Sequence, residues 1–307
     1  MVANKKEWTA YGLKRVEGKE WERWWYGRCK KHGHFVRQRC ENPSERPPAL
    51  ERCCPDMVVG SYIDPIFGFV TSLEGPKEPK RRELRLFTTR PYFAGFAGSQ
   101  PQDTVDLGQV RLARVPPGWM VVLCEGRRER KFYICGRCGA GFRTRPRSHD
   151  SPFGRECRGT LEQAALGHEF ITDVLRLEFC MPHDPGDTAL GFAYSLAYAL
   201  VEGTAQALDV PSTDIGATVS YGPAGGVPPI ILYDNVPGGA GLVARLESRD
   251  VLRQAIDGGL KRVASCCCGE NTSCYGCLRN YRNQFVHRHL ARGPVVNYLR
   301  TVLSRLA

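Results

Sequence analysis

The sequence has no apolar run long enough to cross a bilayer. The longest, Leu190 to Val201, falls well short of the roughly 20 residues a spanning helix needs. No apolar stretch follows the basic residues of the opening MVANKKEW, so no secretory leader is expected. These absences predict a soluble, cytoplasmic protein without a membrane partner. No G-x-x-x-x-G-K-[ST] phosphate loop occurs. Also missing are a G-x-S-x-G nucleophile elbow, an H-E-x-x-H zinc-hydrolase helix and an H-x-E with a downstream P-C-x-x-C pair. Internal repeats and low-complexity segments are absent. Nothing commits the chain to hydrolysis or group transfer, and no catalytic residue is assigned.

What is present is an ordinary globular composition of 307 residues, 42% hydrophobic and 24% charged, enough for about two domains. Cysteine is plentiful, with 14 residues. A reducing compartment does not keep disulfides, so clustered cysteines there read as metal ligands. The charge is uneven. Residues 1–150 hold 29 Lys+Arg against 17 Asp+Glu, whereas residues 151–307 hold 14 against 15. From Leu278 to Ala307 there are six arginines and no acid. Basic stretches of this kind suit a polyanion, whose condensed counterions are released on binding.

Three regions are expected: a Trp- and Cys-rich basic region over 1–57, a β-rich region over 58–187, and an α/β region over 188–307. Strands are predicted at VVGSYI, FGFVTSL, ELRLFTT, WMVVLCE and Phe170 to Phe179, with an exposed hairpin loop from Lys77 to Glu83. Thr188 to Leu208 carries apolar residues at helical spacing with few charges, which predicts a buried helix. Strands at ATVSY and PPIILYD follow, then a helical pattern to Val263. Two final helices are expected, broken at Gly293-Pro294. The fold class is therefore α/β or α+β: a mixed sheet with one long buried helix, a β-rich N-terminal half and zinc-knuckle satellites.

Metal chemistry carries the strongest signal. Cys266-Cys267-Cys268 precedes Cys274-Tyr275-Gly276-Cys277, so a C-x-x-C knuckle faces a nearby cysteine group, as a tetrahedral zinc site requires. An extended backbone would point Cys266 and Cys268 to one side and leave Cys267 out. The second cluster is Cys135-Gly136-Arg137-Cys138-Gly139, then His149, then Cys157 before Gly159. It predicts a structural site of three cysteines and one histidine. A third is weaker: Cys29 and His32 form half a knuckle, and Cys53-Cys54 an eroded partner, with Cys40 nearby. Zinc is the expected cofactor, at two sites or three. Cys124 and Cys180 lie in apolar strand patterns and read as core.

Asp234 and the glycine turn Pro237-Gly238-Gly239-Ala240-Gly241 lie between a strand and a helix, where a turn can hold an anion or simply pack closely. After the last cysteine, Leu278, Tyr281, Phe285 and His289 share one helical face. Such a helix would dock its aromatics and aim Arg279, Arg282 and Arg288 at phosphates.

In combination, YDNVPGGAGL followed by a helix and CCCGENTSCYGCLRNYRNQ resembles the zinc-binding C-terminal domain of MrfA-type helicases, within the DEAD/DEAH-box superfamily two. The string SCYGCLRNYRNQFVH is especially similar to the DrmB group of the DISARM anti-phage system. Phe67 to Val70, Thr88 to Phe93, and Leu166 to Phe170 with Thr172 and Asp173 match in order, so the resemblance spans roughly residues 60–307. It implies a four-cysteine zinc site, carried here onto Cys266, Cys268, Cys274 and Cys277. It also implies a prokaryotic defence or DNA-repair setting and a helicase motor. With no Walker A lysine or DExx-box context, this sequence is expected to serve a separate helicase/ATPase partner as a non-catalytic, DNA-contacting module. Two alternatives stand beside this: a nuclease or phosphate-handling site built on Asp234, the glycine turn and His168, and an adaptor that binds only protein.

Overall fold

The computed structural model describes residues 15–16, 19–20, 23–40, 48–64, 89–98, 104–106, 110–113, 117–126, 129–151, 154–179, 189–221 and 227–306. The strands expected at FGFVTSL and over 83–88, the loop at 77–83, Cys180 and residues 67–70 lie outside them.

The strands used below are β1 (Arg23–Arg28), β2 (Phe35–Cys40), β3 (Val58–Ile63), β4 (Thr89–Phe96), β5 (Val110–Ala113), β6 (Pro117–Cys124), β7 (Phe132–Cys135), β8 (Leu161–Phe179), β9 (Ile215–Val219) and β10 (Ile230–Asp234). The longer helices are α1 (Ala189–Leu208), α2 (Arg249–Ala264) and α3 (Arg292–Arg305).

The 19-residue β8 organises everything else. Its first half pairs antiparallel with β7 and β6, and parallel with β3 through Ala165 and Leu166. Its second half pairs antiparallel with β10 and β5. The parallel contact makes the sheet mixed, as expected. The N-terminal strands run β2-β1-β3-β8-β6-β4. The sheet curls, because Phe35 on one outer strand stacks on Tyr92 of the other with ring centroids 4.7 Å apart. Tyr26, Tyr62, Val121 and Leu123 fill the curl.

Where β8 enters the C-terminal half it is covered on both faces. Leu175, Leu177 and Phe179 point to the helices, while Val174 joins Met120, Ile231 and Tyr233 on the opposite side. This is the alternation of a pleated strand with two apolar sides. The helix α1 is buried nearly all round, as its low charge predicted, and packs against β9, α2 and α3. No helix among the described residues is long and apolar enough to cross a membrane.

The end of the chain differs from expectation. Residues 278–291 form turns with a short 3-10 turn at His287–His289, and a single helix α3 follows. The side chains of Asn280 and Asn283 compete with the helix for backbone groups. Asn280 Oδ1 accepts from the N–H of Arg282 at 2.9 Å and of Asn283 at 3.0 Å, while Asn283 Oδ1 accepts from the N–H of Asn280 at 2.8 Å. Asn283 Nδ2 donates to the Leu278 carbonyl at 2.8 Å from a fully buried position. Gly293 and Pro294 fall in the first turn of α3, where a missing N–H costs no intrahelical bond, so they do not separate two helices.

Candidate metal centres and their surroundings

Among the described residues, three groups of four side chains bring their ligand atoms within 4.8 Å of one another. Four donors bound to zinc at about 2.3 Å form a tetrahedron with edges of about 3.8 Å, so such grouping is what a zinc site needs.

The first tetrad is Cys266, Cys268, Cys274 and Cys277. Cys266 and Cys268 lie just past the end of α2 with sulfurs 3.5 Å apart, and Cys267 between them is exposed. Across the group, Cys266 lies 3.4 Å from Cys274, Cys268 lies 3.7 Å from Cys277, and Cys274 lies 3.9 Å from Cys277. The alternation expected for an extended triplet thus selects Cys266 and Cys268. Backbone N–H groups face the sulfurs: Gly276 donates to Cys274 Sγ at 3.3 Å, and Cys274 to Cys277 Sγ at 3.2 Å. The N–H of Cys268, against slight burial, brings the Cys266 thiol down to about 7. Burial and its neighbouring thiols push Cys277 up to about 12. One thiolate forms easily, the next resists, and a dication removes that repulsion.

The second tetrad is Cys135, Cys138, His149 and Cys157. Cys135 ends β7, while His149 and Cys157 face each other in a two-residue antiparallel pair. Cys135 lies 3.8 Å from Cys157, and Cys138 Sγ lies 3.5 Å from His149 Nε2. The N–H groups of Arg137 and Cys138 donate to Cys135 Sγ at 3.4 and 3.5 Å. Burial opposes ionisation of Cys135, but these donors outweigh it and bring the thiol down to about 7. Burial, with the adjacent thiols, pushes Cys138 up to about 12.

The third tetrad is Cys29, His32, Cys53 and Cys54. Cys29 Sγ lies 3.4 Å from His32 Nδ1 and 3.5 Å from Cys54 Sγ, and Cys53 and Cys54 are 3.9 Å apart. Both adjacent cysteines enter the group, and Cys40 does not. The all-sulfur set and the two sulfur-plus-imidazole sets are donor chemistries that fit zinc. Cys124 is half-buried against Ile63 and Phe132.

The arginines of the terminal segment divide. Arg279 is half-buried and donates from Nε to Ser273 Oγ at 3.0 Å. Arg282 is exposed and donates to the Thr213 carbonyl at 2.7 Å. Arg288 is exposed. His287 Nε2 sits 3.0 Å from the Asn280 carbonyl and 2.7 Å from Asn283 Oδ1, both acceptors, so this nitrogen carries the proton. Burial holds the His287 pKa below the usual imidazole range. Tyr275 and Tyr281 are exposed large side chains here, at 61% and 59%. Sequence reading missed Arg292, whose Nε donates to the Cys268 carbonyl at 2.6 Å; its place in a basic run gave no hint of this.

Asp234 is fully buried. Its carboxylate accepts the N–H groups of Ala240 at 2.7 Å, Leu242 at 3.0 Å and Val243 at 3.0 Å. The amides of the glycine turn that would hold an external anion are taken up internally: Ala240 donates to Asp234, Gly241 to Asp173 Oδ2 at 2.9 Å, and Gly238 and Gly239 to the carbonyls of Ile171 and Val236. His168, the other residue of the phosphate-handling alternative, is exposed and sits 3.6 Å from Asp64.

Residues 196–278 match the family model of the MrfA Zn-binding domain. The Druantia protein DruE of Escherichia coli (strain UMEA 4076-1) is 25% identical over 297 residues, covering 82% of this chain. The chain spans 16% of that protein's length. A crystal structure of the DUF1998 helicase MrfA bound to DNA overlaps with a TM-score of 0.40 at 15% identity, over 72% of this chain and 26% of that one. The same helicase bound to DNA and AMPPNP gives 0.30 at 13%, over 70% and 22%. Residues 196–278 of this chain thus carry an MrfA-type zinc-binding region, with the Cys266/Cys268/Cys274/Cys277 tetrad inside it.

Proposed function

We propose that the chain is a zinc-stabilised, DNA-contacting module that serves an ATP-dependent helicase on a partner chain, in prokaryotic phage defence or DNA repair, and is not itself an ATPase. Cys266, Cys268, Cys274 and Cys277 hold one zinc, and Cys135, Cys138, His149 and Cys157 a second. All positions of both are filled by protein groups, so these zincs are structural and fix short loops. The domain boundaries follow the three expected regions, with the zinc-binding region from residue 188 onward.

The observation that carries the reading is the turn directly after the last cysteine. Asn280 and Asn283 fix its backbone, and it presents Arg282 and Arg288 to solvent in a stretch without acids. A rigid basic turn of this sort neutralises phosphates without reading bases. The match of residues 196–278 to the MrfA Zn-binding domain and the likeness to a Druantia protein support the setting.

Anisotropy of labelled single-stranded and duplex DNA, titrated over a range of salt, tests it. Affinity should fall with salt, and Arg282→Ala and Arg288→Ala should each reduce the log–log slope by about one. Salt-independent or absent binding, or two variants that bind as the parent does, would overturn it. ATP hydrolysis by the purified chain alone would refute the division of labour.

A further inference from the structure

We propose that the Cys29/His32/Cys53/Cys54 tetrad binds zinc and acts as a clasp that holds the N-terminal sheet against the MrfA-type zinc-binding region. The tetrad lies outside the residues matched by that family model and joins two segments of unlike character. Cys29 and His32 belong to the tight turn between β1 and β2, closed by the Cys29 N–H donating to the His34 carbonyl at 2.8 Å. Cys53 and Cys54 lie in the irregular stretch that leads into β3. That stretch has no ladder to fix it, so a metal shared with the turn supplies ordering free energy directly.

The same turn touches the C-terminal region. Gly33 has a φ of +68°, and a Cβ there would come within 2.9 Å of Val219 Cγ2 on β9 and 3.6 Å of Leu190 Cδ1 at the start of α1. The buried His34 ring lies 4.7 Å from the ring of Tyr221, and His32 itself lies 6.2 Å from it. The ligand, the glycine after it and the next histidine therefore form one contact with α1, β9 and Tyr221. A metal that fixes the turn fixes this contact. By linkage, the contact must in turn favour the metal by the same factor.

The full chain, loaded with zinc, supplies the test through metal content and release to a chromogenic chelator. His32→Ala should lose one equivalent of zinc and keep the rest. His32→Cys should keep all zinc and, after cobalt exchange, show the visible-band change of an added thiolate at one site. Tyr221→Ala, which removes no donor atom from the tetrad, should keep every zinc but release one equivalent roughly ten times faster, with increased amide exchange across 23–40 and 215–221. Should His32→Ala not fold, the cobalt spectrum of His32→Cys decides the ligand. An unaltered cobalt spectrum in that variant, or full zinc in His32→Ala, overturns the site. Parental release rates of all zincs from Tyr221→Ala overturn the clasp.

Discussion

The guanidinium of Arg292 donates through Nε to the backbone carbonyl of Cys268 at 2.6 Å, so the first residue of α3 holds the loop that carries one member of the four-cysteine group. It also donates to the Val263 carbonyl near the end of α2 at 3.3 Å. The backbone adds two links, from the Arg292 N–H to Thr272 and the Gly293 N–H to Glu270. Arg292→Ala removes the side-chain pair and leaves the backbone links in place. Stability should fall by about 2 kcal/mol, the scale of a charged hydrogen bond. Zinc should leave the Cys266/Cys268/Cys274/Cys277 tetrad faster, while Lys at 292 restores only part of the loss because it lacks the planar fork. Thermal melts and chelator kinetics measure both; release at the parental rate would show that the loop is held by the backbone alone.

Asp234 takes a structural part in the glycine turn. Its buried carboxylate accepts the backbone N–H groups of Ala240, Leu242 and Val243, which lead into the 3-10 turn Val243–Glu247, and Thr172 Oγ1 donates to its carbonyl at 2.7 Å. Asp234→Ala leaves those donors buried without acceptors and should cost about 3–5 kcal/mol, as breaking a buried charged network does. Asp234→Asn keeps one acceptor oxygen and should lose less. Denaturant titration checks the order. A stable Asp234→Ala protein that had lost only DNA cleavage would revive a catalytic reading.

Much of this was legible in advance where spacing alone sets geometry. The C-x-x-C knuckles at Cys135 and Cys274 predict their own local turns, and the charge-poor run near Leu190 to Val201 predicts a buried helix. The strand Val58–Ile63 follows from its β-branched and aromatic residues. Legibility stopped where particular side-chain hydrogen bonds decide the backbone. The periodic Leu278, Tyr281, Phe285 and His289 suggested a helix, but Asn280 and Asn283 bond the backbone locally and only Leu278 of the four is buried. Periodicity counts apolar positions and takes no account of side chains that cap from within. The spacing did pair Cys53-Cys54 with Cys29 and His32, but it left open whether Cys40 joined them, and the folded chain brings in both adjacent cysteines without Cys40.

Glu129 gives the fold an acid limit. Burial pushes its pKa up, but Lys30, Arg28 and Arg90 outweigh burial and hold it below the usual carboxylate range. Its oxygens lie 2.6 Å from Lys30, 2.9 Å from the buried Arg28 and 3.1 Å from Arg90. A carboxylate with a depressed folded pKa stabilises the fold above its unfolded pKa of about 4.3, and that contribution is lost as pH falls through the folded value. Glu129→Gln should therefore be less stable than the parent at neutral pH. The gap should close in acid, below about pH 4. Melting curves from pH 3 to 7 would show this, and a constant gap across that range would place the loss in packing.

The contact between α1 and α2 turns the usual rule for helix glycines around. Gly203 sits inside α1, where Ala is favoured over Gly by about 1 kcal/mol from backbone entropy alone. A Cβ on Gly203 would overlap the Ala255 carbonyl oxygen and the Gly259 nitrogen of α2, both backbone atoms that cannot turn aside. Facing it, a Cβ on Gly258 would come within 3.2 Å of Gly203 Cα, so the two helices meet backbone to backbone. Accommodating even one methyl means separating helices that share the apolar cluster of Leu200, Leu252, Ala255 and Ile256. Overpacking a core in this way costs about 1–3 kcal/mol and more where only backbone can yield, which exceeds the propensity gain. Gly203→Ala should thus lower the melting temperature despite its better helix former, whereas Ala at an exposed helix position such as Arg253 should change it little. Circular dichroism melts of the two variants compare them directly. A Gly203→Ala protein that melts higher than the parent would mean that α1 and α2 stand further apart than this packing has them.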